Sequence, residues 1–567
     1  MACLSAVLHT GCSDWVAVVT TAETIYFGGS ILTMDGDTPQ YAEALAVKDG
    51  KILFVGEKDE ALVLTGETTR VVDLQGRALL PGFIDAHGHV WNAGFQKLAA
   101  NLLPPPDGDG TDIAALVGIL KEWAELNRAA ISKVGWIIGF GYDDAQLAEE
   151  RHPVAEELDL VSSDLPVLII HQSGHLASMN HKALELSRIT ADTQDPSGGL
   201  IRRESDGRTP NGVLEEMAFF APVFKLFADL DQEANEKIAL AGVQAYIEFG
   251  FTTAQEGRAT STVTETWRKL GRDGRLAIDI AVYPDLQAET DFMLETGASR
   301  TYVNHVRVAG VKLSLDGSPQ GKTAWLTKPY RVPPAGQSND YVGYAAIPNS
   351  AELEALIDLA FENNWQVLAH CNGDAASDAL IAAVTKAAEV HGNVDRRTVM
   401  VHAQTVREDQ LDRMKELGVI PSFFSMHTFY WGDWHRDETL GRERAYRISP
   451  TASALQRDMR FTTHHDSPVA LPSSAMILHT TVNRTSRSGD VIGPDQRVNA
   501  YIALKSITDW AAYQHFEEDS KGTLAVGKLA DLVILDMDPL SVDPTTIRDI
   551  RVLETIKEGE TVYTAPH

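Results

Sequence analysis

Short apolar runs in this chain repeatedly end in side chains that can bind a metal ion. Residues 78–80 lead into Pro81-Gly82, and the next apolar stretch ends in Asp85-Ala86-His87-Gly88-His89. His87 and His89 are two apart, so on an extended segment their rings share a side. Two imidazoles on one face at a strand end can grip one ion, and Gly88 leaves room between them. A His-x-His pair alone is as easily a pair of exposed loop histidines. Four later positions change the balance. Val311-Lys312-Leu313 sets a lysine inside an apolar strand, residues 365–370 end in His370, 398–402 in His402, and 461–466 in Asp466. Imidazole and carboxylate ligands suit zinc and related divalent ions. Singly, each has an ordinary explanation. Lys312 could snorkel from a strand edge, His370 or His402 could be a hydrogen-bonded structural histidine, and Asp466 could open the turn at Ser467-Pro468. Together they repeat one placement, an apolar run followed by a ligand, and that repetition favours a convergent site.

Such convergence requires a scaffold that brings many strand ends to one place. Strand-like runs at 136–140, 167–171, 252–255, 277–283, 306–315, 365–370, 398–402, 418–424 and 460–466 alternate with helical patterns such as 113–130, 232–249, 350–363 and 375–391. Repeated βα units with apolar strands argue a parallel sheet, and about eight of them argue a (β/α)8 TIM barrel, whose active groups sit at the C-terminal strand ends. The two ends of the chain read differently. Residues 24–34, 43–55 and 70–80, and again 522–536 and 550–563, are β-formers broken by Gly turns. The expected fold is α/β: a TIM barrel over 81–515, with a small β-sandwich built from both termini over 23–80 and 516–567. Residues 1–22 are expected to be an unstructured extension. Segments 103–110 and 195–209 read as loops.

The 567 residues carry a formal net charge of -30, which repels phosphate backbones and anionic lipid surfaces, so neither nucleic acid nor membrane is an expected partner. No run of about 18 apolar residues suggests a membrane span. Three cysteines, Cys3, Cys12 and Cys371, make neither a disulfide framework nor a Cys-rich zinc site, which fits a cytoplasmic setting. The stretch Leu8 to Cys12 only loosely matches a lipoprotein cleavage site, because no basic residue precedes it.

The motifs PGFIDAHGH, VKLSLDGSPQGKTA, AHCNGDAA, VHAQ, DSPV and GTLAVGKLADLVILD, spread over residues 23–565, resemble the amidohydrolase superfamily. Within it they are similar to the YtcJ-like branch that includes N-substituted formamide deformylases. The resemblance implies two divalent ions, zinc by expectation: one held by His87, His89 and Asp466, the other by His370 and His402, with a carboxylated Lys312 bridging them. It implies a hydroxide shared by the ions that attacks a substrate carbonyl, and Asp466 as the group that takes its proton and passes it to the leaving amine. It also allows a homodimer. Two places depart from the usual pattern: His464 and His465 precede Asp466 where small residues are usual, and Val401 stands before His402 in place of an acid.

Other residues are candidates for shaping the pocket. His171, His175 and Asn180 match a family segment near the substrate; His175 either stabilises a developing oxyanion or belongs to a loop bonded to itself. Asp316 either positions substrate or holds its loop. Residues 422–434, with His427 and Trp431, form an aromatic wall or pack as an ordinary loop, and His465 is a further substrate-contact candidate. The expected function is hydrolysis of a non-peptide carbon–nitrogen bond in a small amide, N-acyl or N-formyl substrate. Alternatives are a cyclic amide hydrolase or a deaminase of the same fold, or a non-catalytic regulatory homologue.

Overall fold

The computed structural model describes residues 20–566 apart from 197, 229 and 335. The expected N-terminal extension, with Cys3 and Cys12, falls almost wholly outside the described residues.

Two parallel sheets form the centre. One runs in the order Val306–Val308, Asp279–Pro284, Phe251–Ala259, Phe83–Ile84. The other runs Gly310–Ser314, Gln366–Cys371, Val399–His402, Ile420–Phe423, Thr462–Thr463. These strands are almost wholly buried, as expected for a sheet covered on both faces. The run expected as one strand over 306–315 divides at Ala309, whose N–H turns to Val282 O. A parallel bridge between Asp285 and Lys312 joins the sheets there. At the far side, the N–H of Ile84 donates to Ile507 O and that of Thr463 to Ser506 O, so one turn meets the outer strand of each sheet. Helices Gln232–Ile247, Ser350–Glu362 and Asp374–His391 connect the strands; Asp231 and Asn349 cap the first two through their side chains.

Two apolar runs expected among these strands belong elsewhere. Ile137–Tyr142 and Val167–His171 lie in a separate six-stranded sheet with Ala100–Asn101, Leu176–Met179, Gly199–Arg203 and Pro210–Glu216. Their burial is as complete as that of the central strands, and periodicity reports burial, not sheet membership. The segment read as a polar loop over 195–209 instead supplies much of the hairpin that ends this sheet at Glu216.

The two ends of the chain share one eight-stranded sheet, in which Ala78–Pro81 pairs with Leu532–Leu535. It is mixed: Thr24–Leu32 runs parallel to Arg70–Asp73 and to Ala78–Pro81. Ile52 and Ile556, from opposite halves of that sheet, fall in one apolar cluster. No helix among the described residues is long and apolar enough to cross a membrane.

A buried ion network ties the terminal sheet to the parallel strands. Lys521 and Lys557 each reach Asp279 Oδ2 at 2.7 Å, Lys557 also meets Asp531 at 2.9 Å, and Glu517 receives Arg307 at 2.7 Å and Lys521 at 2.6 Å. Burial works against the Glu517 carboxylate, but Lys521 and Arg307 outweigh it and hold its pKa at about 2, below the usual 4.5. A carboxyl depressed on folding adds stability above its unfolded pKa and loses it as pH falls toward the folded one. Glu517→Gln is therefore expected to cost ~3–5 kcal/mol near pH 7, since Arg307 loses its carboxylate partner and Lys521 loses one of two. The gap to the parent, read by urea unfolding, should narrow below pH 4.5. A gap constant down to about pH 3 would show that the ion pairing is not its source.

Candidate metal centre

The six candidate ligands converge. His87 Nε2 and His89 Nε2 each lie 3.3 Å from Asp466 Oδ1. Lys312 Nζ lies 3.1 Å from His87 Nε2. His402 Nε2 lies 3.0 Å from His370 Nδ1 and 3.9 Å from Asp466 Oδ2. Lys312 is 2% exposed and His87 not at all.

Local backbone geometry makes the meeting possible. Strand register pairs His370 with Val401 and Cys371 with His402. Residues level with one another in a sheet face the same way, so an unbroken strand would turn His402 away from His370. His402 instead adopts φ 70°, as Asp466 adopts φ 51°, left-handed values that a non-glycine residue holds only when its surroundings impose them. At Gly88 a Cβ would stand 2.2 Å from Tyr246 Oη and 2.8 Å from Asp85 Oδ2, so only glycine fits between the two histidines.

Hydrogen bonds fix which nitrogen of each ring faces inward. Gln255 Nε2 donates to Ala86 O at 2.8 Å, which leaves its Oε1 to accept from His87 Nδ1 at 2.7 Å. His89 donates through Nδ1 to Gly257 O. His370 donates through Nε2 to Gly317 O at 3.1 Å. His402 Nδ1 meets His464 Nε2 at 3.1 Å, and His464 Nδ1 meets Ser422 Oγ at 3.0 Å. Each ring thus has one nitrogen engaged by an outer partner and the other directed at the centre, the usual arrangement around a metal. Burial holds His87 down to about 4 and His370 and His402 well below the usual imidazole range, so the rings are neutral.

The consequence decides whether a cation fits. Two imidazole lone pairs lie within 3.3 Å of Asp466 Oδ1, and that oxygen is buried without a hydrogen-bond donor. Three acceptors aimed at one point repel unless a positive charge stands among them. His87, His89 and Asp466 accordingly form a group able to hold an ion. The donor set fits a divalent cation.

Of the other sequence-predicted residues, some border this centre and some are spent elsewhere. His175 Nδ1 pairs with Glu216 at 3.0 Å. An aromatic row leaves the ligands: the Phe424 ring lies 6.1 Å from His402 and 4.6 Å from His427, whose ring lies 4.7 Å from Trp431. His427 stacks on His435 and bonds it at 2.9 Å, and Trp431 donates to Asp143 at 3.0 Å. His171 is held by Asp144 at 3.0 Å and receives the Ser173 N–H on Nδ1, which ties it to its own loop. Asp316 accepts from the backbone of Trp325, Asn372 and Gly373, so of its two expected roles it performs loop-holding. Asn180 caps helix His181–Leu186 and binds Val167 N, Ser162 O and Leu165 O, which leaves nothing for a substrate. His465 turns from the centre toward Asp85, 3.3 Å away, and packs against Tyr246 and Phe251, so the expected substrate contact gives way to a supporting one. Gln255, Gly257, Ser422 and Glu216 carry no signal in the sequence, because each acts through a partner over a hundred residues away or on another strand.

A parallel-strand scaffold with imidazole, lysine and carboxylate groups gathered at strand ends defines a metal-dependent hydrolase of the amidohydrolase type. The chain belongs to the amidohydrolase family, which it matches over residues 70–563. It is 27% identical to the N-substituted formamide deformylase of Arthrobacter pascens over 92% of this chain and 95% of that protein. It is 25% identical to the putative amidohydrolase YtcJ of Bacillus subtilis (strain 168), over 95% of this chain and 99% of that one. Among solved structures it is similar to an uncharacterized metal-dependent hydrolase from Pyrococcus horikoshii OT3, with TM-score 0.73 and 25% identity across 95% of this chain and 100% of that one.

Proposed function

We propose that this protein hydrolyses a non-peptide carbon–nitrogen bond in a small amide, an N-acyl or N-formyl amine, at a two-metal centre. The observation that carries the proposal is the convergence of His87 Nε2 and His89 Nε2, whose other ring nitrogens are held by outer partners, on the buried and unpartnered Asp466 Oδ1. The similarity to a formamide deformylase over nearly the whole chain supports the bond type. In this proposal the two parallel sheets form one barrel over 81–515, eight-stranded when Val306–Val308 and Gly310–Ser314 count as one divided strand, and the terminal segments 23–80 and 516–567 fold over one another as a small sandwich. The turn shared by Ile84 and Thr463 supports the first, and the joint cluster of Ile52 and Ile556 the second.

His87, His89 and Asp466 would hold one ion, His370 and His402 another, and Lys312 would bridge them as a carbamate; zinc suits these ligands. Bound divalent ions supply Lewis acidity and bring the pKa of a water down to about 7. Asp466 has one oxygen, Oδ1, committed to the histidine pair, so Oδ2 is the atom that takes a proton from water and returns it to the departing amine. Gln255 and Gly257 O keep His87 and His89 in the tautomer that leaves Nε2 free. Phe424, His427 and Trp431 form the wall against which an apolar N-substituent packs and from which water is excluded.

The test is a hydrolysis screen of the purified, cytoplasmically expressed chain, loaded with zinc or manganese, across formamides, N-acyl amino acids, aryl amides, hydantoins and lactones. Turnover of linear N-acyl or N-formyl amines with two ions per chain is expected. Turnover confined to hydantoins would favour the cyclic amide alternative, and an inert, metal-free chain would leave a regulatory homologue.

A further inference from the structure

Glu216 closes the hairpin that the sequence presents as a polar insertion. Its N–H donates to His175 O, and its carboxylate lies 3.0 Å from His175 Nδ1. Both side chains are largely buried, 22% exposed for His175 and 17% for Glu216. Glu216 holds φ 46°, a left-handed value, at the last position of its strand, where the chain passes directly into helix Met217–Ala228. His175 Nε2 has no hydrogen-bond partner among the described residues. Gln172, three residues before His175, donates through Nε2 to Val469 O at 3.1 Å, three residues past Asp466, so the loop that carries His175 lies against the metal-ligand side of the molecule.

We propose that Glu216 is a positioning residue that accepts from His175 Nδ1–H and thereby aims His175 Nε2–H at the substrate carbonyl oxygen as it becomes anionic. A carboxylate behind an imidazole fixes the ring's tautomer and favours its charged form. Burial works against a charge on His175, yet Glu216 outweighs it and the ring's pKa lies above the usual imidazole value. The donor assists by a hydrogen bond, and no proton needs to leave His175. The second strand of the hairpin, Pro210–Glu216, then has a role in the chemistry, because its last residue completes the charge complement of a site built on other strands. The inference rests on the amide-hydrolysis proposal for its substrate, though not for the pairing itself.

The test is a double-mutant cycle with Glu216→Gln and His175→Ala. Glu216→Gln is expected to lower kcat ~10–100-fold, the worth of one charge-assisted hydrogen bond, with KM and metal content close to the parent's. His175→Ala should lose ~100-fold or more. In that background Glu216→Gln should add less than about 2-fold, because its partner is already gone. Parental kcat in Glu216→Gln, or losses that simply multiply, would overturn the inference. The pairing has its own readout in the metal-loaded chain labelled with 15N-histidine. The imidazole signals absent from His175→Ala should move in Glu216→Gln. If the parent hydrolyses no N-acyl amine, the functional proposal fails while these signals still decide the pairing; signals that do not move overturn it.

Discussion

Asp466→Asn is expected to lower turnover by ~10²–10⁴-fold, the usual worth of a positioned general base, while leaving the fold intact. Asparagine matches aspartate in shape, so the buried surroundings lose no volume. What changes is the sign of the hydrogen-bonding group. In the parent, an acceptor oxygen stands 3.3 Å from two acceptor nitrogens, an arrangement that needs a cation. In the variant, the amide can turn its NH₂ toward the pair, and its two N–H groups then satisfy His87 Nε2 and His89 Nε2 directly. The metal-free variant should therefore unfold at a higher temperature than the metal-free parent, and bind zinc more weakly. Calorimetry of both apoproteins and metal analysis of both reconstituted proteins measure this. Parental turnover would remove the general-base role from Asp466, and an unchanged apoprotein stability would contradict the acceptor crowding.

The convergence of the six candidate ligands is legible in the sequence because metal-binding side chains are of fixed chemical types, and an apolar run followed by His, Lys or Asp is visible without knowing how strands pair. The same logic misassigns Val167–His171, since a buried strand reads alike whichever sheet it joins. Asn180 is misread for a related reason: a polar residue after a strand is an attractive contact for a ligand and an equally good helix cap, and its backbone partners choose the cap. What the sequence cannot carry is the support around the ligands. Gln255 acts on His87 across 168 positions, and its usefulness depends on an amide orientation fixed by Ala86 O. His464 looks in the sequence like a departure from the family pattern; in place it links His402 to Ser422, where a small residue would leave His402 Nδ1 without a partner.

Lys312→Ala is expected to reduce metal content from two ions per chain toward one and to remove most activity with it. Lys312 reaches the centre from strand Gly310–Ser314 with its ammonium 3.1 Å from His87 Nε2, and it has almost no contact with solvent. As an ammonium it would repel a neighbouring ion; as a carbamate it supplies two anionic oxygens. Burial lowers its pKa to about 8, which brings the neutral amine within reach near physiological pH. The neutral amine attacks carbon dioxide, the new N–C bond forms, and one proton leaves to water. Two outcomes follow for the parent apoprotein. Loading of the second ion should require dissolved carbon dioxide or bicarbonate. Its rate should climb ~10-fold per pH unit below 8 and level off above, following the fraction of neutral amine. The Ala variant should show neither dependence. Full two-ion loading of the parent in carbon-dioxide-free buffer, or unchanged stoichiometry in the variant, would exclude the bridge and leave Lys312 as a plain amine beside a one-metal site.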